Sequence, residues 1–176
     1  MNRGEGVERV LRCLLTNVLL ALCLVGCAQE AVIDDTRLLR NPTVPIGAIT
    51  RFEPARCDGR WTIQQSGGGD WDLRSFEVAE QSAVWRETLS GGAVRDGVIA
   101  QRAPGILRLT YAGGDLRDLW VVWIDPDHQT AALGDPDGQF GFVATRAGTA
   151  RADQITAARQ VLDFNGYRTE TWRDVP

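Results

Sequence analysis

Side chains able to act as nucleophiles, bases or metal ligands are sparse in this chain of 176 residues, which holds one histidine and four cysteines. His128 stands in the expected turn Asp125-Pro126-Asp127-His128, where a solvated turn role outweighs a catalytic one. No Gly-x-Ser-x-Gly is present to expose a serine on a strained strand-to-helix turn, and no histidines are paired at metal-binding spacing. Ser66-Gly67-Gly68-Gly69-Asp70 is glycine-rich, but no Lys-Ser or Lys-Thr helix start follows it to cradle a phosphate, so it reads as a loop. Asp125-Pro126-Asp127 and Asp135-Pro136-Asp137 carry the oxygens that calcium takes. A proline at the second position of each preorganises a β-turn, and the turn is the favoured reading. The expectation is therefore a protein with no catalytic residues, no metal and no cofactor.

The spacing with a chemical consequence lies near the N terminus. Arg3, Arg9 and Arg12 precede the apolar stretch Cys13 to Val25, whose 13 residues suit a signal-peptide core. A helix needs about 20 residues to span a bilayer. Leu24-Val25-Gly26-Cys27 then resembles the lipobox at which bacterial lipoproteins are cleaved and acylated. That resemblance implies removal of residues 1–26, lipidation of Cys27 and attachment to a membrane. Cys13 and Cys23 leave with the signal and a thioether consumes Cys27, so Cys57 remains alone. It has no partner in its own chain, and stability must come from a core instead of disulfides. Cys57 reads first as a small buried apolar residue and second as a reactive thiol or an intermolecular bridge.

The remaining 150 residues suit one domain, and their formal net charge of −5 disfavours a nucleic-acid partner. Every basic residue is Arg, which has no functional explanation here. Residues 27–50 contain Asp34, Asp35, Asn41, Pro42 and Pro45 and read as a lipid-anchored tether or arm, with residues 51–176 as the domain. Leu38, Leu39, Ile46 and Ile49 offer the alternative that the arm packs on the domain.

Short apolar runs of period two, broken about every ten residues by Gly, Pro and Asp, predict strands over 60–66, 73–80, 82–89, 94–101, 106–112, 118–125, 129–134 and 139–146. Gly91-Gly92 suits a hairpin with positive φ, and Asp135-Pro136-Asp137-Gly138 suits a type I turn. One amphipathic helix is expected over 152–164, with Ile155, Ala158, Val161 and Leu162 on one side and Asn165-Gly166 as its stop. Tyr167 to Arg173 alternates and is a candidate ninth strand.

Gly59-x-Trp61, Leu119-Trp-Val-Val-Trp-Ile-Asp125 and Gly138-Gln-Phe-Gly-Phe-Val-Ala-Thr-Arg146, in that order ahead of the late helix, resemble the lipocalin family, and most closely its bacterial outer-membrane lipoprotein branch. The likeness covers about residues 50–174. It implies an all-β fold: an eight-stranded antiparallel up-and-down barrel with one C-terminal α-helix packed outside, closed at one end and open at the other. It also implies a structural barrel base of Gly59, Trp61, Asp125 and Arg146, with Arg146 stacked across Trp61 and neither touching ligand. Residues 66–70 would then be a lid over the mouth. Thr62 stands where an aromatic is usual, no tyrosine follows Asp125, and the interval from Trp61 to Asp125 is short for the family.

Parity from those motifs points Leu119, Val121, Trp123, Phe140 and Phe142 inward, and alternation adds Phe76, Val78, Trp85, Leu107, Leu109 and Tyr111. Each is either core or ligand wall; together they predict an apolar interior suited to an acyl chain or a flat hydrophobe. The expected function is a lipid-anchored, non-enzymatic carrier in the bacterial envelope, on the outer membrane facing the periplasm. Its partners would be a small hydrophobic ligand, such as a fatty acid or lysophospholipid, and the membrane. The alternatives are an envelope interaction protein with a filled barrel and an enzyme using the same cup through His128 or Cys57. The sequence leaves the oligomeric state open.

Overall fold

The computed structural model describes residues 39–68 and 71–176; the expected signal segment, Cys27 and the part of the expected tether up to residue 38 lie outside the described residues. Eight antiparallel strands form a meander: β1 (Gly59–Gly67), β2 (Leu73–Ala79), β3 (Val84–Leu89), β4 (Val94–Ala103), β5 (Ile106–Tyr111), β6 (Leu116–Ile124), β7 (Thr130–Gly134) and β8 (Gly141–Arg146). β1 pairs with both β2 and β8, which closes the sheet into a barrel. Closure removes the free edges that an open antiparallel sheet exposes. The expected turns form at the expected residues. Gly91 and Gly92 have φ of 82° and 83°, and the N–H of Gly138 donates to the Asp135 carbonyl at 3.2 Å.

Helix α1 (Ala152–Phe164) lies on the outer face of β6 to β8, where Ala158 and Leu162 bury fully against Val122, Ala132 and Val143. Two bonds end it: Tyr167 N–H to the Leu162 carbonyl at 3.1 Å and Gly166 N–H to Asp163 at 2.8 Å. This Schellman pattern needs positive φ at Gly166, which has 89°. The segment after α1 departs from the alternating strand reading. Thr169–Thr171 form a 3-10 turn, and only Arg173–Asp174 (β9) pair with Gln65 and Ser66 of β1. Tyr167 turns inward to donate its hydroxyl to the Asp135 carbonyl at 2.6 Å, and that contact takes the chain off a strand path.

From Leu39 onward the N-terminal arm packs on the domain. The N–H of Leu39 donates to Gly138, and that of Ile49 donates to Val121, at 2.8 and 2.9 Å. Arg40 is buried, with its guanidinium donating to the carbonyls of Asn165, Pro136 and Val44. The first of these satisfies a carbonyl at the end of α1, where a cation is favoured.

Trp123 does not face the interior. Between Val121 and Trp123 the pairing with β7 slips by one residue, so Val122 and Trp123 both face α1 and Ile124 turns inward. Parity counted through a bulge assigns the wrong face.

Burial pushes the Asp135 carboxyl up to about 6, and the nearby Asp137 charge adds to the rise. A folded value above the unfolded one means that the native state holds the proton more tightly, so stability from this group is present below about pH 4 and lost as pH rises through 6. Urea unfolding at pH 4, 5, 6 and 8 is expected to show wild type losing stability relative to Asp135→Asn across that interval.

Candidate functional site

The interior of the barrel divides in two along its axis. At the base, where β1 begins, Trp61 is buried and donates its indole N–H to the Cys57 carbonyl at 2.8 Å. The Arg146 guanidinium lies 4.8 Å from the Trp61 ring centre and donates to the carbonyls of His128 at 2.9 Å, Asp58 at 2.6 Å and Arg56. Gly59 is required beneath it, because its φ is 105° and a Cβ would come within 3.1 Å of Arg146. Asp125 is buried and accepts the backbone N–H groups of Asp127, Gln129 and Thr130, while Gln154 of α1 approaches it. These four residues stand at the base of the barrel. His128 departs from expectation: it is buried, with φ of 55°, and its Nδ1 lies 3.3 Å from the Pro126 carbonyl.

Above this base is a cavity of about 260 Å³. Trp61, Phe76 and Trp85 form one wall as a stack, with centroids 6.1 and 4.2 Å apart and interplanar angles of 7° and 16°. Val78, Leu107, Val121, Ile124, Ala131 and Leu133 supply aliphatic surface, and Phe52 closes in from the arm. Trp61 thus lines the cavity instead of standing apart from it, contrary to the expectation from the family. Cys57 also lines it, and burial pushes its thiol up to about 11, which favours the neutral thiol at neutral pH.

The mouth half is filled. Glu87 of β3 has 0 % exposure in the barrel interior. Its carboxylate accepts the indole N–H of Trp85 at 2.8 Å and of Trp71 at 3.2 Å, the Tyr111 hydroxyl, and two Arg95 N–H groups at 3.0 and 2.6 Å. Burial, followed by the bond to Glu87, pushes the Tyr111 phenol above its usual range, so it acts as a donor. Gly97 lets the Tyr111 ring approach β4, since a Cβ there would meet the ring at 3.1 Å. Trp71 packs edge-on against Phe140 and Phe142, at 4.4 and 5.6 Å, and Arg117 covers its outer face at 4.7 Å.

Of the residues expected to form a ligand wall, Phe76, Val78, Trp85, Leu107 and Val121 line the cavity. Leu109, Leu119, Tyr111, Phe140 and Phe142 face inward but belong to packed core. Glu87 was missed, although alternation from Trp85 places it on the inner face and opposite Arg95 of β4.

Neither a family model nor a curated protein matches the sequence. Solved structures match the fold. Lobster apocrustacyanin A1 superposes with a TM-score of 0.55 at 13% identity over 75% of this chain and 89% of its own. The cockroach allergen Per a 4 gives 0.54 at 10% identity over 77% and 95%, and the bovine lipocalin allergen Bos d 2 gives 0.50 at 12% over 70% and 94%. The fold is that of the lipocalins. Within that lipocalin barrel the hollow lies toward the base.

Glu87→Gln removes the charge to which two indoles, the Tyr111 hydroxyl and the half-buried Arg95 donate. Hydrogen bonds to a charged group contribute about 1.5 to 3 kcal/mol, and a loss of that order is expected because the remaining Arg95 reaches solvent. Urea unfolding should register that loss, whereas Arg86→Ala, which breaks the exposed pair with Asp96, should leave stability within error.

Proposed function

We propose that this chain is a non-enzymatic carrier of small hydrophobic molecules, anchored by a lipid on Cys27 to the outer membrane of a bacterium and facing the periplasm. The cavity walled by Trp61, Phe76 and Trp85 carries this reading, because it is apolar, lies inside the barrel and is not filled by the chain itself. Its size narrows the ligand. A cavity of 150 Å³ admits benzene, so 260 Å³ admits about ten non-hydrogen atoms. A whole fatty acid or lysophospholipid exceeds that volume; the end of an acyl chain or a flat ring system fits. The anchor rests on the lipobox resemblance and on energetics: about 0.8 kcal/mol per buried CH₂ makes several chains hold where one does not.

A second reading is favoured by the filled mouth. In a lipocalin barrel whose upper half is packed with Trp71, Phe140, Phe142 and Glu87, the working surface would lie outside, as in an envelope interaction protein.

Octanol titration separates the two. Trp61 and Trp85 face the cavity, so a carrier should change its tryptophan emission on binding and gain about 2.7 kcal/mol of stability at a hundred times Kd. Val78→Phe, which narrows the cavity, should weaken both responses while the protein stays folded. A wild type that responds to no apolar molecule of this size belongs to the second reading. For the anchor, native mass spectrometry of protein extracted from its membrane should show a chain beginning at Cys27 with acyl mass, and Cys27→Ala should move the protein to the soluble fraction.

A further inference from the structure

We propose that the cavity is loaded from the base of the barrel, and that Glu80 at this entrance selects apolar molecules with a cationic end. The inference rests on the carrier reading and names the ligand chemistry of that same cavity.

The route follows from which walls reach solvent. Toward the mouth, Trp71, Glu87, Tyr111, Phe140 and Phe142 are all buried and none lines the cavity, so packed side chains separate it from that end. Toward the base the lining includes exposed Glu80 and Gln101, with Phe52, Pro54 and Ala83 half-buried beside them. The solvent-reaching part of the lining therefore lies between the 3-10 turn Pro54–Cys57 and the 3-10 turn Glu80–Ser82 that joins β2 to β3. Both sides of this gap are tied down. Glu80 N–H donates to the Asp58 carboxylate at 2.7 Å, and the Ala83 carbonyl accepts the Ile99 N–H at 2.9 Å.

The selectivity follows from charge. Glu80 and Cys57 are the ionisable groups on the lining, and the Cys57 thiol is neutral, so the lining carries one formal charge, a carboxylate at the entrance. The neighbouring cations lie behind the lining, and the charges of Arg146 and Arg56 still reach the Cys57 thiol, but Glu80 is the charged group on the lining itself. Arg146 donates to three carbonyls behind Trp61, Arg56 donates to the Pro126 carbonyl at 3.0 Å, and Arg102 acts on Asp118 on the outer face. Glu53 and Asp58 add negative charge at the same end. A tail seated in the cavity leaves its polar end beside Glu80, where an ammonium is attracted and a carboxylate repelled. Exposed charges interact weakly, which sets the separation between the two at about threefold to tenfold in affinity.

Octylamine, octanol and nonanoate share one octyl tail and test this directly by the change in tryptophan emission of the full chain at neutral pH and low ionic strength. The expected order is octylamine tightest and nonanoate weakest. The gap should collapse in Glu80→Gln, invert in Glu80→Lys and persist in Arg117→Gln, which changes charge at the mouth. Equal affinities in wild type, or an order indifferent to Glu80→Lys, overturn the proposal while octanol binding keeps the carrier reading. An order altered by Arg117→Gln alone overturns it by placing the polar end at the mouth. Failure of all three to bind removes the carrier reading together with the proposal.

Discussion

Glu87 is a carboxylate without access to water, and the groups needed to hold it there decide where the barrel can be hollow. Leaving such a charge unpaired inside a protein costs several kcal/mol. Here the cost is offset by donors from four places in the chain: Trp71 after β1, Trp85 on β3, Arg95 on β4 and Tyr111 on β5. Each donor except Arg95 is a large ring, so satisfying the carboxylate also fills the space around it. Trp71 then seats Phe140 and Phe142, and Arg117 closes the outer face through its positive charge over the Trp71 ring. The mouth of the barrel is solid because a polar group inside it had to be satisfied.

The base obeys the opposite logic. Its polar groups are satisfied outside the interior: Arg146 by backbone carbonyls, Asp125 by backbone N–H groups and the Trp61 indole by Cys57. Nothing polar has to be reached by rings crossing the centre. The stack of Trp61, Phe76 and Trp85 stays on one wall, and the space opposite remains open. Trp85 joins the two halves, since its ring faces the cavity while its N–H serves Glu87.

Much of this was legible in the residues. Short apolar runs between Gly and Asp-Pro breakers placed all eight strands. β7 and β8, covered by α1, are buried on both faces, while period two is enforced where the barrel is solvated outside. The stripe through Ile155, Ala158 and Leu162 located α1 for the same reason. Parity failed where the backbone breaks the period, at the bulge that turns Trp123 outward. The base residues Gly59, Trp61, Asp125 and Arg146 came from the motif resemblance and not from local bonding, since Arg146 reaches the carbonyls of Asp58 and Arg56 far away in the sequence. The position of the hollow was not legible, because it depends on how rings from distant strands share one volume. Glu87 was the available clue: a carboxylate in phase with Trp85, opposite Arg95, signals a polar core that must be enclosed.

A barrel packed at the mouth and hollow at the base makes a direct structural demand. Apolar cavities of this size take up xenon, and a crystal pressurised with it reports the site without any assumption about the ligand. The account requires xenon density between the Trp61, Phe76 and Trp85 stack and the Leu133 side of the barrel. Density beside Trp71 and Phe140 instead, or none inside the barrel, would contradict it.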